Sequence, residues 1–340
     1  MISFYTLILS NNQLIGGLYM TKKKIVILEK DTLTVGDMDF TPFEKLGDVC
    51  FYDTLKGKEL ISAIKNAEIV LINKTQFNKE LFDCCEKLEY VGIFATGFNN
   101  VDLAEANRRN VTVCNVPSYS TSSVAQLTMS FLLELSSNLS LYNSSTHEGN
   151  WIASSTFSYF PYKFSELEGK TLGIFGMGEI GEKVTAIAQA FGMNVIATTR
   201  TKKQVKGVTF VDKETLFKTA DFISLHCPLT PQTAKTVNEH TLSLMKPTAF
   251  IINTSRGGVI DEDALANALK ANKIAGAGLD VLIKEPMSKD CPLFGLKNCI
   301  ITPHIAWTTV EARMRLLKVA YQNVEGYLSG KVQNSVNNKA

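Results

Sequence analysis

Short apolar runs of strand length alternate with segments of helical spacing along most of this 340-residue chain. The first block holds four such runs, which lie at Ile25–Leu28, Ile69–Ile72, Tyr90–Phe94 and Val111–Cys114. Segments of helical spacing separate them, at Gly57–Asn66, Asn78–Cys85 and Val101–Arg109. Strands that alternate with helices predict βαβ units and a mainly parallel sheet.

After Gly169 the same alternation resumes. Six further runs follow, at Leu172–Phe175, Val195–Thr198, Phe222–Leu225, Phe250–Ile252, Ala277–Val281 and Ile300–Thr302. They predict a six-stranded, doubly wound sheet. Thr121–Asn143 is long, mostly apolar and free of glycine and proline, which predicts a buried helix at a domain junction. A last amphipathic helix is expected at about Thr308–Leu328.

The length of the chain predicts two domains, since a domain usually has roughly 100–200 residues. We expect a discontinuous substrate domain at residues 21–117 and 308–335, and a dinucleotide-binding domain at residues 118–307. Residues 1–20 are expected to lie outside the fold. Met1–Tyr19 lacks the basic region of a secretory signal, and a second methionine, Met20, directly precedes the first lysine-rich strand segment.

Composition excludes several classes of protein. Hydrophobic residues make up 45% and charged residues 20% of the chain, which argues against a mainly disordered protein. A net charge of +2 provides no strong basic field for nucleic acid or an anionic membrane. No apolar run reaches the length of a membrane span. The seven cysteines form no C-x-x-C pair, so we expect no metal site and reduced thiols in the cytoplasm.

A glycine loop follows the first strand of the second block. Its sequence places Gly176, Gly178 and Gly181 in a G-x-G-x-x-G pattern, between a strand and a helix. The first glycine permits a tight turn, the second a close approach of a pyrophosphate, and the third close packing of helix on strand. Glu179 and Ile180 begin the helix whose N-terminal amides would face the phosphates.

The end of the next strand indicates which dinucleotide is bound. Thr199 lies 21 residues beyond Gly178, where an NAD-binding unit carries an acid for the ribose hydroxyls. No acid is present, and Arg200, Lys202 and Lys203 follow. Because an arginine pairs with a 2′-phosphate, we predict a preference for NADP(H). NAD(H) stays possible if these cations form a solvated loop.

Three chemically versatile side chains follow successive strands of the second block. Arg256 lies in an N-T-S-R-G run, Glu285 in G-L-D-V-L-I-K-E-P, and His304 in T-P-H. In open α/β sheets, ligands bind beyond the carboxyl ends of the strands. We therefore expect Arg256, Glu285 and His304 to meet over one site.

These motifs, in this order, resemble the D-isomer-specific 2-hydroxyacid dehydrogenase family from Lys24 to about Gly330. The resemblance implies two Rossmann-like doubly wound domains with an interdomain cleft, and a homodimer that covers the long apolar helix. Within the family, Lys24–Leu46, Ala95–Asp102 and Asn115–Pro117 look most like glycerate dehydrogenase, also called hydroxypyruvate reductase.

The resemblance also implies roles for individual residues. His304 would be the general acid, since imidazoles titrate near neutrality, and Glu285 would orient it and stabilise its charged form. Arg256 would bind the substrate carboxylate and polarise the carbonyl, together with the backbone amides of Thr96 and Gly97. Further cofactor contacts are expected from Cys227, Thr233, Thr254, Asp280 and His304.

The implied reaction is NAD(P)-dependent reduction of hydroxypyruvate to D-glycerate, with glyoxylate as a second substrate. D-Lactate dehydrogenation or reduction of another 2-oxo acid is an alternative. The motifs are shared among these enzymes, and none of them identifies the residues that bind the substrate side chain. A 3-phosphoglycerate dehydrogenase is disfavoured, since its longer relatives carry C-terminal regulatory domains. The remote alternative from another functional class is an NAD(H)-sensing corepressor.

Overall fold

A computed structural model describes residues 22–201 and 203–337. The chain divides into two compact units. The first comprises the described residues up to Tyr119 together with those from Val310 onward, and the second comprises Ser120–Thr309. The predicted extension at residues 1–20 and Lys202 lie outside the described residues.

The first unit is built on a five-stranded parallel sheet. Its strands are β1 (Lys24–Ile27), β2 (Asp48–Phe51), β3 (Ile69–Ile72), β4 (Tyr90–Ile93) and β5 (Thr112–Cys114), in the order β2-β1-β3-β4-β5. Its helices are α1 (Gly57–Ile64), α2 (Lys79–Asp83), α3 (Leu103–Arg108) and the C-terminal α10 (Val310–Leu328). β1, β3 and β4 are almost wholly apolar, as is typical of strands covered on both faces.

The second unit contains a seven-stranded parallel sheet. Its strands are β6 (Thr171–Phe175), β7 (Asn194–Thr198), β8 (Val208–Phe210), β9 (Phe222–Leu225), β10 (Phe250–Asn253), β11 (Gly276–Leu279) and β12 (Cys299–Ile301). The order β12-β11-β10-β9-β6-β7-β8 reverses between β9 and β6, so a switch point lies at the carboxyl ends of these two strands. Its helices are α4 (Thr121–Ser137), α5 (Leu139–His147), α6 (Glu179–Ala190), α7 (Lys213–Thr219), α8 (Glu239–Leu244) and α9 (Glu262–Lys270).

The predicted α/β class with two parallel sheets is confirmed, but the predicted strand counts are wrong. The sequence interpretation missed β2 in the first sheet and β8 in the second. Both are edge strands, each paired on one side only, β2 with β1 and β8 with β7. Edge strands are short and partly solvated, so they lack the continuous apolar run that reveals a central strand.

The single helix predicted at Thr121–Asn143 is also wrong. Helix α4 ends at Ser137, and Asn138 adopts a left-handed conformation with φ 53° before α5 begins. Asparagine is one of the few residues other than glycine that adopts this conformation readily, so it ends a helix without glycine or proline. The side-chain amide of Asn138 also donates to the Lys163 carbonyl at 2.6 Å.

Helix α4 is packed within the second unit, against α6, β10 and β11. A Cβ at Gly278 of β11 would lie 2.8 Å from the ring of Phe131, so the helix sits directly on the sheet there. Several large exposed apolar side chains of this unit occur further along, in the segment 139–164. No helix in the described part of the chain combines the length and apolarity needed to cross a bilayer.

Candidate functional site

The glycine loop connects β6 to α6 at the switch point. Gly176 has φ 100°, and a Cβ there would lie 2.7 Å from the carbonyl carbon of His226, so a side chain is excluded. A Cβ at Gly181 would lie 2.6 Å from the Gly176 oxygen, which explains the third glycine. Above Gly178, the N-cap of α6, a Cβ would meet nothing within 4 Å. The loop is therefore closely packed at Gly176 and Gly181 but open at Gly178, where the unpaired amides of α6 begin. This arrangement fits a pyrophosphate.

The segment after β7 lies beside this loop, since the Gly176 amide donates to the Thr198 carbonyl at 2.9 Å. Thr199 is half-buried and Arg200 exposed. Lys203 forms an ion pair with Glu182 of α6. The guanidinium of Arg200 makes no hydrogen bond or ion pair to any residue that the structure describes. Arg200 is therefore available to a ligand, whereas Lys203 already has a carboxylate partner.

His226 and Cys227 follow β9 on the other side of the switch point. The His226 imidazole contacts the Ser224 hydroxyl through Nε2 at 2.9 Å, and its buried Nδ1 has no partner among the described residues. Burial lowers the pKa of His226 to about 4 and raises that of the Cys227 thiol to about 11. At neutral pH both groups are uncharged, so His226 is a poor proton donor in this unit.

Two threonines predicted at the cofactor use their hydroxyls locally. The Thr233 hydroxyl donates to the Pro228 carbonyl at 2.6 Å and stabilises the turn after β9. The Thr254 hydroxyl is buried and lies 3.0 Å from that of Thr128 on α4. Their contacts to a cofactor stay a prediction.

Arg256 lies on a turn directly after β10, and Asn253 shapes that turn. The buried Asn253 side chain accepts hydrogen bonds from the Ser255 amide at 3.0 Å and hydroxyl at 2.8 Å. It also donates to the Arg256 carbonyl at 2.9 Å. Arg256 is exposed, and one guanidinium nitrogen donates to the Ser255 carbonyl at 2.7 Å. The remaining donors of the guanidinium can bind an anion.

Glu285 and His304 are in direct contact. The His304 Nδ1 lies 2.6 Å from Oε2 of Glu285, whose other oxygen accepts from the Leu282 amide at 3.0 Å. A carboxylate at Nδ1 favours the tautomer that keeps its proton there and leaves Nε2 for chemistry. His304 is only half-buried, and Nε2 is engaged with no described residue.

Asp280, at the end of β11, holds the turn that carries His304. Its buried carboxylate accepts from the Thr302 hydroxyl at 2.6 Å, the Ile305 amide at 2.8 Å and the Ala306 amide at 2.9 Å. Its carbonyl accepts from the His304 amide at 2.9 Å, while His304 itself has φ 56°. The contact of Asp280 to a nicotinamide stays a prediction. The sequence did not predict that Asp280 also anchors the 302–306 turn.

The loops of Arg256 and Glu285 touch through glycine. A Cβ at Gly257 would lie 2.0 Å from the Leu282 carbonyl carbon, so only glycine permits this contact. The three predicted side chains thus follow β10, β11 and β12, which are neighbours in the sheet. The structure brings Glu285 and His304 into contact, while the meeting of Arg256 with them over one site stays a prediction.

Thr96 and Gly97 lie in the first unit, on the loop after β4. The Thr96 hydroxyl donates to the Val116 carbonyl at 2.9 Å. Neither the Thr96 nor the Gly97 backbone N–H donates to any described residue. These two amides are therefore available to an anion such as a carboxylate.

Sequence reasoning missed Asn253 altogether, and it missed the anchoring role of Asp280, which it had assigned only to the cofactor. A signal for Asn253 exists, because an asparagine two residues before a serine commonly forms an Asx turn. Asp280 has no such local signal, since its donors lie more than twenty residues away. Within residues 22–201 and 203–337, no three His, Cys, Asp or Glu side chains are grouped as a metal site requires.

Comparison with known proteins identifies relatives over most of the chain. The family profile described as D-isomer specific 2-hydroxyacid dehydrogenase, NAD binding domain, matches residues 129–306. A hydroxypyruvate reductase of Blautia hydrogenotrophica is 41% identical over 320 residues, which cover 92% of this chain and 99% of the relative.

Two solved structures extend the comparison to the fold. An acyclic imino acid reductase in complex with NADPH and D-Arg superposes with a TM-score of 0.81 at 34% identity, covering 92% of this chain and 99% of its own. A D-lactate dehydrogenase from Aquifex aeolicus, complexed with NAD and lactic acid, gives a TM-score of 0.82 at 28% identity, covering 93% and 100%.

Proposed function

Because this chain belongs to the D-isomer-specific 2-hydroxyacid dehydrogenase family, a group of oxidoreductases acting on CH–OH, we propose that it reduces hydroxypyruvate to D-glycerate and accepts glyoxylate as a second substrate. The observation that carries the proposal is the 2.6 Å contact of Glu285 with His304. That contact leaves the opposite imidazole nitrogen to protonate a carbonyl oxygen. The match to a hydroxypyruvate reductase supports this choice of substrate.

His304 is the general acid in this proposal. Its Nε2–H donates to the substrate carbonyl oxygen and transfers its proton as the alkoxide develops. Glu285 stabilises the imidazolium before transfer and fixes the ring. Asp280 holds the 302–306 turn through hydrogen bonds, so the His304 imidazole is already ordered before substrate binds.

Arg256 and the backbone amides of Thr96 and Gly97 are the groups that we assign to the substrate carboxylate, each from the geometry of its own unit. The planar guanidinium of Arg256 binds a carboxylate oxygen and polarises the adjacent carbonyl. The free amides of Thr96 and Gly97 bind the carboxylate as neutral donors. We accordingly assign dinucleotide binding to the second unit, and we assign substrate binding to the Thr96 and Gly97 amides of the first unit together with Arg256 of the second.

The cofactor is a nicotinamide dinucleotide, which supplies the hydride when it is bound. Gly176, Gly178 and Gly181, with the amides at Glu179 and Ile180, would hold its pyrophosphate. Thr199 and Arg200 would bind at the adenosine ribose, and we propose NADP(H) as the preferred form because Arg200 has no described partner and no acid is present. NAD(H) is the competing form, and the solved relatives were complexed with NADPH in one case and NAD in the other.

Substitution Arg200→Ala tests the cofactor preference. We expect the Kd for NADPH to rise about 10- to 100-fold, as for the loss of a charge-assisted hydrogen bond, while the Kd for NADH stays unchanged. Fluorescence titration of each reduced cofactor measures both constants. Lys203→Ala is the control and should have a smaller effect, because Lys203 is already paired with Glu182. An equal loss of both cofactors in Arg200→Ala would contradict the assignment.

A grid of substrates and cofactors tests the function itself. Purified protein is given NADH or NADPH with hydroxypyruvate, glyoxylate, pyruvate or a bulkier 2-oxo acid, and oxidation of the cofactor is followed. We expect the highest kcat/KM with hydroxypyruvate. A higher value with pyruvate would replace the proposed substrate by the D-lactate alternative, and cofactor binding without turnover would favour a sensor protein.

We propose a homodimer formed through the segment 139–164. This segment exposes Ile152 by 89%, Phe157 by 92%, Phe160 by 77% and Phe164 by 73%. So many large apolar side chains on one segment are typical of a protein–protein interface.

The seven cysteines are free thiols, which supports the cytoplasm as the compartment.

The double substitution Ile152→Asp, Phe157→Asp tests the dimer. Light scattering after size exclusion should give the mass of two chains for the natural protein and of one chain for the variant, because charges at an apolar interface remain unpaired. Val35→Asp is the matched control, since Val35 is 90% exposed but lies in the first unit. A monomeric natural protein, or a dimeric double variant, would contradict the proposal.

A further inference from the structure

The loop that carries Thr96 and Gly97 is held by a residue that no substrate contact explains. Asn115 follows β5 directly, and its buried side chain donates from Nδ2 to the Thr96 carbonyl at 2.7 Å. This is the one hydrogen bond that the Asn115 side chain makes among the described residues.

The peptide unit between Thr96 and Gly97 explains why this bond matters. The Thr96 carbonyl and the Gly97 N–H belong to one rigid plane and point in opposite directions. A hydrogen bond to the carbonyl therefore sets the direction of the N–H. Glycine leaves the adjoining φ angle permissive, so without an outside restraint the plane would sample several orientations.

Asn115 is itself held on both sides of its backbone. Its carbonyl accepts from the buried Asn323 side chain of α10 at 2.8 Å, and its amide donates to the Asn334 carbonyl at 3.2 Å. The Asn334 side chain donates to Asn323 at 2.8 Å and closes the set. The C-terminal helix and the residues after it thus anchor Asn115.

We propose that Asn115 is a positioning residue that orients the Gly97 N–H toward the carboxylate of the 2-oxo acid. The proposal rests on the proposed function, in which Thr96 and Gly97 bind that carboxylate. It links substrate affinity to the C-terminal residues through Asn323 and Asn334, although those residues lie more than two hundred positions away along the chain.

Substitution Asn115→Leu tests the proposal, because leucine has a similar size, lacks the donor and leaves the backbone hydrogen bonds in place. We expect KM for hydroxypyruvate to rise about 5- to 10-fold, as for the loss of one neutral hydrogen bond. Ki for oxamate, a carboxylate that mimics a 2-oxo acid, should rise equally, with kcat within about twofold. The Kd of the reduced cofactor should not change. If Asn115→Leu does not fold, Asn115→Ala is measured in the same way.

Asn337→Ala is the matched control. The Asn337 side chain also ties the C-terminal residues to β5, through the Val113 amide at 2.8 Å and the Val111 carbonyl at 2.8 Å, but it makes no contact with Thr96. We expect a lower melting temperature for this variant and an unchanged KM. An unchanged KM in folded Asn115→Leu, or an equal rise in Asn337→Ala, would overturn the role of Asn115.

Failure of the proposed function gives a different result. In that case the natural protein would bind oxamate no more tightly than its neutral ethyl ester, because no carboxylate site would exist. Preference for oxamate over the ester together with an unchanged KM in Asn115→Leu removes only the positioning role.

Discussion

Substitution His304→Ala is expected to lower kcat about 10²–10⁴-fold, the usual contribution of a general acid. The loss should appear in kcat, since His304 is assigned to the proton that moves in the transition state. Binding of the reduced cofactor should persist, because the glycine loop lies at β6 and not at β12. Steady-state rates with hydroxypyruvate and a cofactor titration measure the two quantities.

The matched control is His240→Ala. His240 is an exposed histidine of the same unit, 3.5 Å from Glu214 on α7, and it is part of no predicted site. Its removal should leave kcat unchanged. Near-normal turnover in His304→Ala would show that another group supplies the proton. His226 would be a poor candidate for that group, because burial lowers its pKa to about 4.

Substitution Arg256→Ala is expected to lower kcat/KM about 10²–10⁴-fold, as for the loss of two charge-assisted hydrogen bonds. KM should rise and kcat should fall together, since the guanidinium is assigned to both the carboxylate and the polarised carbonyl. Arg256→Lys keeps the charge but not the planar fork, so it should recover only part of the loss. Initial rates over a range of hydroxypyruvate concentrations separate kcat from KM.

Stability should not account for the effect of Arg256→Ala. The side chain is exposed and its one hydrogen bond goes to the neighbouring Ser255 carbonyl, so the melting temperature should change little. Lys273→Ala removes an exposed cation of the same unit and serves as the control. If KM for the 2-oxo acid is unchanged in Arg256→Ala, the assignment of the carboxylate to Arg256 is wrong.

The central strands of both sheets were predictable from sequence, and the edges were not. β3, β4 and β9 are buried and almost wholly apolar because neighbours cover both of their faces. β2 and β8 are paired on one side and carry polar residues, so composition does not distinguish them from loops. The break at Asn138 was missed because asparagine also occurs within helices, so its presence alone does not mark the end of one.

The candidate site likewise has parts that the sequence predicts and parts that it does not. The positions of Arg256, Glu285 and His304 after neighbouring strands were predictable, because parallel strands end at one edge and short motifs mark those ends. The anchoring by Asp280 and Asn115 was not predictable, since each side chain is bonded to groups that the fold brings from elsewhere. Motifs identify the groups that react, while the residues that orient them depend on tertiary hydrogen bonds.

The most direct test of the central claim is the product of a single reaction mixture. The natural protein is incubated with hydroxypyruvate and reduced nicotinamide cofactor, and cofactor oxidation and D-glycerate are measured together. We expect D-glycerate in equal amount to the oxidised cofactor, with the activity lost in His304→Ala. Absence of D-glycerate while the cofactor binds, or formation of L-glycerate instead, would contradict the proposed function.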